Sequence, residues 1–159
     1  MVMMHNKTSW MIRPLSRSDI TQWQTCYRLY ADFYEVPMND AILKQTWEWL
    51  MDPTYPLEGM VAITEDGSIA GFAHYRAYAE PLMGKEACYL DDLYVLSAYR
   101  KQGIARALIT QLTRVAQERG WPLIRWITAN NNAAARTLYD QMAQITPWVT
   151  YDIDINNLD

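Results

Sequence analysis

At 159 residues the chain has the length of one ordinary domain, enough to bury a core without disulfides or metal. Half its residues are apolar and a fifth charged, which excludes a disordered composition, and no run reaches the ~18 apolar residues of a membrane span. The net charge of -4 argues against nucleic acid or an anionic membrane as the main partner, since both attract basic surfaces, and is compatible with a cationic substrate.

In chain order, residues 1–10 lack the long apolar stretch of a signal peptide, so a cytoplasmic protein is expected. Residues 10–14 predict an opening strand, and Ser16 to Asp19 supplies capping residues for a first helix. Ile20, Trp23, Tyr27, Tyr30, Ala31 and Tyr34 recur along that helix at helical spacing. A second helix over about 41–50 is broken by the Pro-rich stretch 52–56. Strands over 59–64 and 69–77 flank an Asp66-Gly67 turn, the pattern of a hairpin.

A loop over 80–84 leads to a strand over 87–96, where Asp91 and Asp92 interrupt an apolar run. Alternation along a strand puts Tyr89, Leu93 and Val95 on one face and Leu90, Asp92 and Tyr94 on the other, so the two carboxylates should point to opposite sides. A long amphipathic helix over 103–119 ends at Gly120 and Pro122. A strand over 123–128, a helix over 132–142 and an alternating tail over 148–155, expected as a last strand, complete one domain over 1–159. Strands that run first as a hairpin and then alternate with helices predict a mixed sheet covered by helices.

Cys26 and Cys88 stand far apart among apolar residues and predict buried thiols rather than a disulfide. His5 and His74 have no ligand spacing, and no metal is expected.

The loop Arg100-Lys101-Gln102-Gly103-Ile104-Ala105-Arg106 passes from a strand into a helix. A helix N-terminus offers unpaired N–H groups and partial positive charge, so such a loop can cradle an anion, and Gly103 lets the backbone approach it closely. An ordinary strand–helix connection has the same outline. The loop lacks both the Gly-Lys-Ser/Thr ending of a P-loop and the G-x-G-x-x-G of a dinucleotide fold.

Arg-x-x-Gly-x-Ala in this setting resembles the acetyl-CoA loop of the GNAT (GCN5-related N-acetyltransferase) superfamily. Residues 89–95, Gly71-Phe72-Ala73 and residues 132–139 extend the likeness over most of the chain, and it is most like the diamine (spermidine/spermine) and Hpa2-type acetyltransferases. The resemblance implies an α/β (α+β) fold: a mixed, mostly antiparallel sheet with splayed central strands, flanked by helices. It implies acetyl-CoA as acetyl donor, with Leu93, Tyr94 and Val95 as strand contacts, residues 100–106 as the pyrophosphate loop and Asn132 reaching the cofactor. A homodimer is the family's usual form, and Trp148 and Tyr151 of the tail could serve its interface.

Acyl transfer from a thioester needs a neutral amine, whereas alkyl amines are protonated at neutral pH, so a base must take a proton. Asp91 or Asp92 can do so. By resemblance Asp91 faces the substrate amine, while Asp92 is open to a structural role. Tyr139, seven residues after Asn132, shares its helical face, and by resemblance its phenol sits at the departing thiol. No cysteine is paired with a histidine in a nucleophile signature, so direct attack in a ternary complex is expected.

Glu35, Glu80 and Asp91 fall on segments that border the acceptor cleft in the family, which implies a small cationic amine, either a diamine, a polyamine or lysine-like. Leu82 and Tyr30 depart from the diamine enzymes, which carry Trp and an acid there, and Ala143 replaces the usual Gly. Protein or peptide lysines, an aminoglycoside, or a noncatalytic acyl-CoA sensor remain alternatives.

Overall fold

The computed structural model describes residues 9–158, so His5 and most of the 1–10 stretch lie outside the described residues. The chain divides into two compact units, Met1–Ile127 and Thr128–Asp159.

The first unit is built on a five-stranded sheet in the order β1-β2-β3-β4-β5: β1 (Trp10–Pro14), β2 (Leu57–Thr64), β3 (Ile69–Glu80), β4 (Lys85–Val95) and β5 (Ile124–Arg125). All neighbours are antiparallel except β4 and β5, which are parallel. The β2–β3 hairpin closes where the sequence predicts, with Gly67 in the left-handed region (φ 84°), and β3 and β4 form a second hairpin around the expected loop. The second is longer than expected, because β3 continues to Glu80 opposite Lys85.

Helices α1 (Ile20–Phe33) and α2 (Asp40–Met51) cover one face of the sheet. Before α1, a 3-10 turn is fixed by Asp19, which accepts from the Ser16 amide and forks onto Arg13 at 2.8 Å through both oxygens. Trp23, Cys26, Leu43, Val61, Ile69 and Phe72 form the core under these helices. The opposite face receives α3 (Ile104–Arg119), which buries Ile104, Leu108, Ile109 and Leu112 and ends at left-handed Gly120 (φ 72°). A Cβ on Gly71 would meet the Tyr94 carbonyl oxygen at 2.8 Å and Ile104 Cγ2 at 3.2 Å, so only glycine permits this packing.

Two expectations are corrected. The strand over 123–128 shrinks to the two residues of β5, paired only with Cys88 and Tyr89. The tail over 148–155 is no strand: apart from a 3-10 turn at Ile155–Asn157 it is irregular, and Trp148, Tyr151 and Ile153 are exposed. Alternation assigns faces, but a strand exists only where a neighbour accepts its backbone hydrogen bonds.

The second unit contains α4 (Ala133–Met142). Its N-cap Asn132 accepts from the Ala135 amide, and Ala143 leaves the helix in an extended conformation (φ -144°), so no glycine is needed at that exit. No described helix is long and apolar enough to cross a membrane.

Candidate active site

The β4 strand carries the site. On its outer side it pairs with β5 only at Cys88 and Tyr89, so its edge from Leu90 to Val95 is not continued by a fifth-strand ladder. This is the splay that the family resemblance implies. An unpaired strand edge presents N–H and C=O groups in a row, suited to pair with the amides of an extended ligand.

Between β3 and β4 the register shifts at one point. Tyr75 faces Leu90 and His74 faces Asp92, which leaves Asp91 as the extra residue of a β-bulge. Strict alternation therefore fails here. Cross-strand partners share a face, so Tyr89 opposite Arg76, Asp92 opposite His74 and Tyr94 opposite Phe72 all lie on the α1 side. Asp91 reaches the same side, bonding Arg76. The expected opposition of the two carboxylates, and of Tyr89 and Asp92, is corrected by this one inserted residue.

Asp92 is enclosed. Trp23 Nε1 donates to His74 Nε2 at 3.0 Å, and since an indole N–H can only donate, His74 carries its proton on Nδ1 and gives it to Asp92 at 2.8 Å. The Tyr27 hydroxyl donates to the same oxygen at 3.0 Å. Burial pushes the Asp92 carboxyl up, but the hydrogen bonds from His74, Tyr30 and Tyr27 outweigh it and hold the group below the usual carboxylate range. Its charge in turn, after burial itself, pushes the Tyr27 and Tyr30 phenols up.

Asp91 is more open. Arg76 Nε donates to both its oxygens at 3.2 and 3.1 Å, and the guanidinium stacks on Tyr89, 4.9 Å from the ring centre. Burial raises the Asp91 carboxyl more than Arg76 lowers it, and neighbouring Asp92 adds to the rise. A carboxylate poised upward beside an open strand edge suits proton acceptance.

Beyond β4 a 3-10 turn (Ser97–Tyr99) leads to the loop. Arg100 is partly committed: its Nε donates to the Val95 carbonyl at 3.2 Å and its guanidinium lies over Phe33 and Tyr94. Lys101 (φ 61°) and Gly103 (φ 81°) are both left-handed and bracket Gln102, the kind of fold-back in which successive backbone amides can form an anion-binding concavity. Among the described residues no side chain caps α3, none fills the space where a Gly103 Cβ would stand, and none gives the buried Gln102 Oε1 a hydrogen bond. An uncapped helix N-terminus beside an unsatisfied buried amide fits a polyanionic, amide-bearing ligand such as coenzyme A. From Gly103 a groove of about 480 Å³ continues between α3 and β1, lined by Arg106, Thr110, Arg114 and Trp10.

The remaining expected residues are dispersed. Glu80 sits at the far end of the β3–β4 hairpin, engaged by the Tyr78 hydroxyl at 3.3 Å and Arg125 at 3.4 Å. Glu35 is exposed on a left-handed residue (φ 55°) just after α1. In the second unit the Asn132 side chain caps α4, while Tyr139, seven residues on in the same helix, is half-buried.

Sequence reasoning gave no role to Arg76, His74 or Trp23. Their signal was present in part: His74 and Arg76 are two apart on one strand, and the hairpin turn sets them opposite the acidic pair, but the bulge that fixes which meets which leaves no mark in composition.

The acetyltransferase (GNAT) family model matches residues 23–143. The chain is 32% identical over 141 residues to the D-amino-acid N-acetyltransferase HPA3 of Saccharomyces cerevisiae, covering 88% of each. Among solved structures it resembles a ribosomal-protein-alanine N-acetyltransferase from Brucella melitensis (TM-score 0.78, 28% identity, 92% of this chain and 100% of that one). It also shares the fold of AAC(6')-Iy in complex with a bisubstrate analogue (TM-score 0.79, 18% identity, covering 92% and 99%).

Proposed function

The chain belongs to the acetyltransferase (GNAT) family and is an N-acetyltransferase, and on that premise we propose that it transfers acetyl from acetyl-CoA to a primary amine of a small cationic acceptor by direct attack in a ternary complex. The observation that carries this reading is the uncapped α3 N-terminus behind the Lys101–Gly103 fold-back, placed directly after the open edge of β4. Residues 100–106 hold the pyrophosphate on backbone amides, the 93–95 edge pairs with the pantetheine amides, and Asn132 contributes from the start of α4. Acetyl-CoA supplies the acetyl group as a thioester.

Asp91 takes a proton from the acceptor ammonium, freeing a lone pair. The nitrogen bonds to the acetyl carbon, the carbon–sulfur bond breaks, and Tyr139 protonates the departing thiolate, recovering a proton from the amide nitrogen through solvent. Asp92 stays ionised and orients the strand. A covalent acyl-cysteine is disfavoured, because burial pushes the Cys26 thiol up to about 11 and the Cys88 thiol to about 12, leaving neither as a thiolate. The whole chain acts as one catalytic domain, working as a cytoplasmic homodimer in which the exposed Trp148 and Tyr151 meet the partner copy.

The test is thiol release from acetyl-CoA over a panel of polyamines, lysine analogues and peptides. Tyr139→Phe should reduce turnover far more than acetyl-CoA affinity, and equal losses would make Tyr139 a binding residue. Acetyl-CoA binding without transfer to any amine would turn the reading toward a sensor.

A further inference from the structure

Of the five arginine–carboxylate pairs among the described residues of the first unit, three show how differently the guanidinium is used. Arg13 grips Asp19, and Arg119 grips Glu58, through both terminal nitrogens, so in each pair the fork is closed on its partner. Arg76 meets Asp91 side-on, through Nε alone. Among the described residues no hydrogen bond falls on its Nη1 or Nη2. Arg76 lies over the Tyr89 ring, a contact that uses none of its N–H donors, and its side chain is 40% exposed. An arginine whose terminal fork is left open is suited to a second carboxylate.

Beside it, Asp91 is 27% exposed at the bulge, two residues past the last β4–β5 pair, where the strand edge opens. A cation-binding carboxylate and an anion-binding fork therefore adjoin, joined through the Nε contact. In an α-amino acid the ammonium and carboxylate are separated by one carbon, so one molecule can meet Asp91 and the Arg76 fork together. An amine several methylenes from its carboxylate cannot engage both while extended.

We propose that Arg76 and Asp91 form a two-handed specificity site for an α-amino acid, with Asp91 receiving the α-ammonium and Arg76 the α-carboxylate, so that acetylation falls on the α-nitrogen. This rests on the acetyl-transfer reading and narrows its acceptor to a zwitterion. The proton balance is unchanged: Asp91 accepts one proton from the α-ammonium, the C–N bond forms and the thiol leaves. Glu80, engaged by Arg125 and Tyr78 near the hairpin end, has no part in the clamp. The pair sets no handedness, so both enantiomers belong in the test.

The experiment compares kcat/KM for matched acceptors, L- and D-phenylalanine with phenethylamine and L- and D-leucine with isopentylamine, with thiol release as readout and mass spectrometry on the product of lysine. An amino acid of at least one hand should exceed its decarboxylated amine by about 10- to 100-fold, the range of a charged hydrogen bond gained. In Arg76→Gln that preference should collapse to within about threefold, mainly through the amino-acid KM, while Arg76→Lys, keeping charge without the fork, should retain part of it. Matching melting temperatures show that both variants are folded. Lysine should be acetylated at the α-nitrogen. Equal rates for each acid and its amine, acetylation of lysine chiefly on the side chain, or equal losses on both acceptors in Arg76→Gln would each overturn the clamp. Brisk transfer to the carboxylate-free amines alone would overturn it and leave the acetyltransferase reading standing. No transfer to any amine would overturn both.

Discussion

Asp91 and Asp92 are neighbours in sequence and lie on the same side of the sheet, yet their surroundings are opposite. Around Asp92 the α1 aromatics and His74 supply donors that converge on one carboxylate, and the group is held ionised inside the protein. Around Asp91 a single arginine touches from the side, burial without enough donors raises the carboxyl, and the strand beyond is unpaired on its β5 side. Donors aimed at a carboxylate, more than its depth, decide whether it is held ionised or raised.

The contrast breaks most sharply by exchanging roles. Asp91→Asn should lower kcat/KM by about 100-fold or more, in the range of a lost general base, with a small change in melting temperature. In the unsubstituted protein activity should fall as pH drops through the Asp91 pKa, because only the unprotonated carboxylate accepts a proton. That limb should lie above the usual ~3.9 of aspartate and vanish in Asp91→Asn.

Asp92→Ala should act mainly on stability, by about 3 kcal/mol or more in urea unfolding, since His74 and Tyr27 would lose their acceptor in a buried cluster. The pH signatures are opposed. Asp92 has a folded pKa below its unfolded value, so its stabilisation is present above ~3.9 and lost as pH falls through the folded pKa. Asp91 has a raised folded pKa, so the penalty for burying its charge holds above that pKa and is relieved as pH falls through it.

Gly71→Ala should cost about 1–3 kcal/mol, because the new methyl collides with the Tyr94 carbonyl and Ile104 where β4 packs on α3. A loss below that range would mean that β4 and α3 can separate, and that the bulge is less rigidly backed. Leu82→Ser, at a side chain 98% exposed on the hairpin tip, should change thermal stability by less than about 0.5 kcal/mol. A larger effect would show that the tip is engaged, as at an acceptor or partner surface.

The sequence alone determined the elements whose cause is local. The i, i+4, i+7 aromatics of α1, the Asp66-Gly67 turn, and the Gly103 opening and Gly120 close of α3 follow from side-chain period and backbone freedom, which any stretch of chain carries within itself. The turn into α3 at Gly103 was legible for the same reason, and the resemblance carried by residues 100–106 and their neighbours pointed to the family. Tertiary structure decided what depends on a partner. The alternating tail over 148–155 is irregular and β5 has two residues, because a strand is made by its neighbour's hydrogen bonds. The Asp91 bulge turned two carboxylates expected on opposite faces toward one side, where His74 and Tyr27 close on Asp92 and the side-on Arg76 leaves its fork open. Which donors converge on a carboxylate is set by residues distant in sequence, through a one-residue register shift that periodicity cannot record.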